Sequence, residues 1–120
     1  MFDALKRLLR GGKAGIPELT VEDLKSLMER KEPCFLLDVR EPDEHEFARI
    51  PGSHLIPLGQ VPGRLAEIPK DRPIVVHCKS GSRSARAVSF LLKSGCPHVA
   101  NLTEGIDAWS ERVDPTVPRY

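Results

Sequence analysis

The chain has almost no charge imbalance. Its 120 residues carry 18 lysines and arginines against 17 aspartates and glutamates, a formal net charge of +1. That balance argues against a nucleic-acid binder, which needs a basic surface, and against an acidic tail protein. Cysteine is scarce. Cys34, Cys78 and Cys96 are odd in number and widely spaced, which suits a reducing compartment better than a disulfide scaffold. There is no Cys-x-x-Cys pair, and His45, His54, His77 and His98 are scattered, so no structural zinc site is expected. No apolar run approaches the roughly 20 residues of a membrane span. The basic N-terminus has no continuous apolar stretch before Gly11-Gly12, which argues against a secretory signal. Repeats and low-complexity tracts are also missing. The expectation is a soluble, cytoplasmic protein.

What is present is an ordinary globular composition, 40% hydrophobic and 29% charged. At this length about two thirds of the extended chain's surface can be buried, enough for one compact domain. Residues 1–15 stand apart. Phe2, Leu5, Leu8 and Leu9 fall at helical spacing among Lys6, Arg7, Arg10 and Lys13. That segment reads as a short amphipathic helix and linker, with the domain proper over 16–120.

Within the body, Thr20 and Asp23 are spaced as a capping box, and Val21, Leu24, Leu27 and Met28 form an apolar stripe after them. The runs 34–39 and 73–78 are short, apolar and bounded by proline or charge, as buried strands are. Further strands are expected at 53–56 and 99–102. Helices are expected at 43–47, 65–68, 83–92 and 104–112. Alternation of this kind predicts an α/β fold, a parallel sheet with helices on both faces. Ligands of such sheets bind beyond the carboxyl ends of the strands.

Cys78 lies at such an end. The segment Val76-His77-Cys78-Lys79-Ser80-Gly81-Ser82-Arg83-Ser84 runs from strand to helix through a loop too short to wander. Its amides are expected to curl around the Cys78 sulfur. Amides feeding a helix N-terminus make an anion site, and Lys79 and Arg83 add positive potential. Each feature favours an anionic sulfur. Gly81 lets the backbone come close without a Cβ in the way. Cys34, inside an apolar run, and Cys96, after a helix stop, read as small buried hydrophobes. Cysteine-dependent phosphatases seat phosphate with Cys-x5-Arg. Here Arg83 follows Cys78 after four residues and Ser84 holds the next place. The loop is one residue short and makes a smaller cradle, suited to one extra sulfur atom.

These residues carry a resemblance. The sequence resembles a single-domain rhodanese, a sulfurtransferase family, over residues 17–112. The matching blocks are Leu37-Asp38-Val39-Arg40-Glu41-Pro42 with Glu46-Phe47, then Ile50-Pro51-Gly52-Ser53 with Ile56-Pro57, then the Cys78 loop, then Asn101-Leu102, Gly105-Ile106 and Trp109. Arg49-Ile50-Pro51-Gly52 and the ending 113–120 are most similar to the rhodanese-like C-terminal domain of enzymes that activate sulfur carriers in molybdopterin and thiamine biosynthesis. This chain has no glycine-rich nucleotide loop of the kind their adenylating part carries. Ala48-Arg49 stands where most rhodaneses have Gly-His.

The resemblance implies a five-stranded parallel sheet flanked by helices and a double displacement through Cys78. A sulfane sulfur would pass from thiosulfate or a persulfide donor to Cys78, then to cyanide, a thiol or a sulfur-carrier protein. The binding loop would be Lys79, Ser80, Gly81, Ser82, Arg83 and Ser84. Asp38 and Arg40 would either sit at the rim of the site or brace the loop as an ion pair. No metal or organic cofactor would be required. A cysteine desulfurase and a sulfur carrier would be the partners, with no nucleic acid and no membrane. His77 precedes Cys78 in a strand and points to the opposite face, a poor place for a general base. Two other classes fit the fold. A non-catalytic binding module would lack the cysteine, and a redox or arsenate-reducing enzyme would need a resolving cysteine within reach.

Overall fold

The computed structural model describes residues 10–11 and 15–120. Along the chain come β1 (Arg10–Gly11), β2 (Pro17–Leu19), α1 (Val21–Glu29), β3 (Phe35–Asp38), α2 (Pro42–Phe47) and β4 (His54–Leu55). After two 3-10 segments, Leu58–Gln60 and Pro62–Glu67, follow β5 (Ile74–His77), α3 (Ser82–Lys93), β6 (Val99–Leu102) and α4 (Gly105–Arg112). The sheet order is β1-β2-β6-β5-β3-β4. Strands β2 to β6 are parallel, so the expected five-stranded parallel sheet is present. β1 adds an antiparallel edge, with Arg10 opposite Glu18 and Gly11 opposite Pro17. The helix expected over 1–15 otherwise falls on residues outside the described ones.

Period-2 alternation divides the core between the two sheet faces. Leu36, Val75 and Ala100 lie in register and pack under α1 and α4, with Leu24, Leu27, Ile106 and Trp109. Leu37 and Val76 point the other way, into a cluster with Ala87, Val88 and Leu91 of α3 and Val61 and Ile68. Helix α1 starts as its capping box requires. The Asp23 amide donates to Thr20 Oγ1 and the Thr20 amide donates to Asp23 Oδ2, both at 3.1 Å.

Two elements differ from the sequence expectation. β2 has only three residues, one of them Pro17, so no local pattern announces it. It exists because Glu18 and Leu19 pair with Asn101 and Leu102. The helix expected at 65–68 is a 3-10 stretch over Pro62–Glu67, irregular at Arg64, and Ile68 is extended. Among the described residues, no helix is long and apolar enough to cross a membrane.

β5 is central, between β6 and β3. His77 lies opposite Asp38 and Val76 opposite Asn101. Cys78 therefore emerges between the carboxyl ends of two neighbouring strands, where loop residues from both sides can reach it.

Candidate active site

Cys78 is buried, with 1% of its surface exposed. Three donors converge on its sulfur. The Gly81 amide lies 3.1 Å from Sγ and the Ser84 amide 3.4 Å. The Ser84 hydroxyl, also 3.4 Å from Sγ, lies between the sulfur and Asn101 Oδ1 and can donate to one at a time. Gly81 sits at φ +111° just before α3, a conformation open to glycine. This turn aims its own amide and that of Ser84, in the first helical turn, at one point. First-turn amides have no partner within the helix, so the sulfur satisfies a group that the helix leaves free.

Two neighbours fix the loop from outside. Asn101, at the end of β6, donates from Nδ2 to the Gly81 carbonyl at 3.2 Å and to Glu18 Oε2 at 3.3 Å. That orientation presents Oδ1 to Ser84. The N-terminus of α4 caps the loop carbonyls. Ile106 N donates to Cys78 O at 3.0 Å and Asp107 N to Lys79 O at 3.1 Å. Gly105 makes this approach possible. It sits at φ +54°, and a Cβ there would overlap the Cys78 and Lys79 carbonyl oxygens.

The loop side chains depart from the sequence expectation. Lys79 and Arg83 do not stand free around the sulfur. Lys79 Nζ donates to both Asp107 carboxylate oxygens at 3.0 Å, and Arg83 forks onto Glu44 at 2.7 and 3.0 Å. The Arg83 hydrogen bond holds the Glu44 carboxyl down at about 2. The Tyr120 phenol donates to Glu44 Oε2 and accepts from Arg40 Nη1, each at 2.8 Å, and Lys79 Nζ lies 5.0 Å from its ring centre. Ser80 and Ser82 are exposed at the rim.

Asp38 and Arg40 form a fully buried pair. Arg40 donates from Nε and Nη2 to the two carboxylate oxygens at 2.9 and 2.7 Å, and from Nη2 to Ala48 O at 2.7 Å. His45 Nδ1 lies 2.8 Å from Asp38 Oδ2. Burial alone would raise the Asp38 carboxyl, but the Arg40 hydrogen bond and the histidines beside it hold it below the ordinary range. The pair ties β3 to α2 and to Tyr120, which is bracing geometry.

His77 is wholly buried, and its Nε2 has no partner among the described residues. Burial lowers its pKa from 6.5 to about 4. A base whose folded pKa is depressed contributes stability above its unfolded pKa and loses it as pH falls through the folded one. Stability should therefore decline between about pH 6.5 and pH 4, on the order of 3 kcal/mol at about 1.4 kcal/mol per unit. Urea unfolding of the wild type and His77→Leu across that range checks this. The part of the decline owed to His77 should be missing from the variant.

Cys96 is buried, as expected, while Cys34 is only partly so, because it precedes β3 at the sheet margin. Both lie at the amino ends of parallel strands, and Cys78 follows the carboxyl end of one. At roughly 3.3 Å per residue, a four-residue strand puts the two ends more than about 10 Å apart. Neither cysteine is placed to resolve a disulfide with Cys78. Sequence reasoning missed Glu44, Asp107 and Tyr120 and gave Asn101 no role. Only Asn101 carried a usable signal, a buried amide at the carboxyl end of a strand.

Residues 20–112 match the rhodanese-like domain family. The chain belongs to it. A sulfurtransferase of Allochromatium vinosum is 37% identical over 102 residues, covering 85% of this chain and 95% of that protein. The adenylyltransferase/sulfurtransferase MoeZ of Mycobacterium tuberculosis is 34% identical over 104 residues. That match covers 85% of this chain but only 26% of MoeZ. Thiosulfate sulfurtransferase of Pseudomonas aeruginosa superposes with a TM-score of 0.75 at 28% identity, over 82% of this chain and 19% of that one. This rhodanese-like chain therefore shares its fold with proteins named as sulfurtransferases. The Cys78 loop of the rhodanese-like domain lies inside the matched span.

Proposed function

We propose that the chain transfers a sulfane sulfur through a persulfide on Cys78. The observation that carries this reading is the convergence of the Gly81 amide, the Ser84 amide and the Ser84 hydroxyl on one buried sulfur. Fixed donors aimed at a developing anion stabilise it without reorganisation. In the first half, the Cys78 thiolate attacks the outer sulfur of thiosulfate. A Cys78–S bond forms, the donor S–S bond breaks, and its electron pair leaves with sulfite. With a persulfide donor, the electron pair leaves with a thiolate instead. In the second half, an acceptor nucleophile takes the outer sulfur and Cys78 returns as thiolate. Cyanide leaves as thiocyanate, and a thiol or a sulfur-carrier protein is the acceptor that fits a cell. A cysteine desulfurase is a donor of the right chemistry, and a cytoplasmic setting suits three unpaired cysteines. Residues 16–120 suffice for the reaction in this reading. Phosphate chemistry finds less support, because Arg83, the loop's guanidinium, is engaged by Glu44.

Initial rates test the scheme. Double-reciprocal plots against donor at several acceptor concentrations should be parallel, as a covalent intermediate requires. Sulfite should also appear before acceptor is added, in amounts approaching one per chain. Intersecting lines with no early sulfite would contradict a persulfide intermediate.

A further inference from the structure

The two cations of the Cys78 loop are both closed off. Glu44 engages both Nη atoms of Arg83, Oε1 at 2.7 Å and Oε2 at 3.0 Å. The carboxylate is itself held in place. The Glu41 amide donates to Oε1 at 2.9 Å and the Tyr120 hydroxyl to Oε2 at 2.8 Å. A guanidinium fork bound this way satisfies the geometry by which arginine grips a planar or tetrahedral oxyanion. The Arg83 hydrogen bond holds the Glu44 carboxyl down at about 2, so the carboxylate that faces Arg83 is ionised at neutral pH. Lys79 is occupied by Asp107 in the same manner. Arg83 nevertheless belongs to the loop around the sulfur, directly before Ser84, whose amide lies 3.4 Å from Cys78 Sγ. The mouth thus meets an incoming donor with paired charges. It also presents an apolar edge. Phe47 and Tyr120, 56% and 42% exposed, stack edge to face with ring centres 6.0 Å apart.

We infer that Glu44 is a specificity-determining residue, one that withholds Arg83 from small dianionic donors and leaves the site to donors carrying their sulfur on an organic group. The inference rests on the sulfur-transfer reading above and narrows its donor class. A free dianion gains from an open guanidinium, and here it must either break the Glu44 fork or approach a neutral pair. An organic persulfide carries less charge at the reacting end and brings apolar surface to Phe47 and Tyr120. In the favoured first half, Cys78–S⁻ attacks the terminal sulfur of R–S–S–H. The donor's S–S bond breaks and R–S⁻ leaves with the electron pair. The proton of the new Cys78 persulfide passes to solvent.

Two donors with different charge test this in the full chain, with cyanide as the common acceptor. Thiosulfate is a dianion. Benzenethiosulfonate is a monoanion that gives up its outer sulfur in the same way, with benzenesulfinate leaving. Glu44→Gln should lower KM for thiosulfate by about tenfold, the size of removing one charge near a dianion in a partly screened site, with kcat little changed. KM for benzenethiosulfonate should move less than about threefold on the same electrostatic ground. Asp107→Asn, which frees Lys79, should move thiosulfate KM in the same direction. Such a gain for one donor is not the result of a damaged fold. If Glu44→Gln leaves the thiosulfate KM unchanged or raises it, or shifts both donors equally, the inference is overturned whatever Asp107→Asn does. If the wild type transfers sulfur from neither donor, the sulfur-transfer reading itself fails, a separate outcome.

Discussion

Cys78→Ala should bring donor-dependent thiocyanate formation down to the uncatalysed background, a loss of roughly 10⁴-fold or more, the scale seen when an enzyme loses its nucleophile. Cys78→Ser should do the same, although it keeps a group of similar shape at the focus of the loop. A hydroxyl is far less easily ionised than a thiol, so it does not attack sulfane sulfur. The fold should survive both changes. Only one buried sulfur is lost or exchanged, at a cost of about 1 kcal/mol, and the carbonyl contacts of Cys78 with Ile106 remain. Cys34→Ala and Cys96→Ala act as the comparison, since both cysteines lie at the far ends of their strands. They should keep most of the activity. If either abolished it while Cys78→Ala did not, the assignment of the nucleophile would be wrong.

Arg40→Ala should be the most destabilising single change in the molecule outside the apolar core, at about 3–5 kcal/mol. The reasoning is that both side chains of the Asp38–Arg40 pair are fully buried. Removing the guanidinium leaves the buried Asp38 carboxylate with only His45 Nδ1 and the residue-40 amide beside it. It also leaves the Ala48 carbonyl and the Tyr120 hydroxyl without a donor. Truncating one partner of a buried pair costs far more than the pair's net worth. The double variant Asp38→Asn/Arg40→Met should accordingly be more stable than Arg40→Ala alone, because no charge is left unpaired. Urea denaturation of the three proteins decides this. A loss below about 1 kcal/mol in Arg40→Ala, the size of an exposed pair, would mean that the brace carries little.

The alternation of β3 to β6 with helices, the parallel sheet it implies and the Cys78 loop were legible in the sequence, because each is written in short-range pattern; β1 and β2 were not. The run Ile74 to His77 is β-branched and bounded, and Ser80, Gly81 and Ser82 between Cys78 and Ser84 favour a tight turn into a helix. The resemblance to rhodaneses rests on the Cys78 loop together with the blocks at 37–57 and 101–109, and the match over residues 20–112 bears it out. What the sequence hid is pairing between distant segments. Strand β2 is set by Leu102 and Asn101, over 80 positions away. That Lys79 and Arg83, expected to add positive potential, are each paired with a carboxylate was hidden for the same reason. Nothing near Arg83 in sequence announces Glu44, 39 positions earlier, and nothing near Lys79 announces Asp107, 28 positions later. Tyr120, at the end of the chain, bonds both Arg40 and Glu44, and nothing near it in sequence announces either. Charge in a motif tells which side chains are present. Only the fold tells which of them are already spoken for.

One measurement bears most directly on the central claim. Protein treated with a sulfane-sulfur donor and then freed of it should gain one sulfur atom, about 32 Da, by intact mass under non-reducing conditions. Peptide mapping should place the added atom on Cys78, and cyanide should remove it with release of one thiocyanate. An unchanged mass, or an added sulfur found on Cys34 or Cys96 with Cys78 unmodified, would contradict the account.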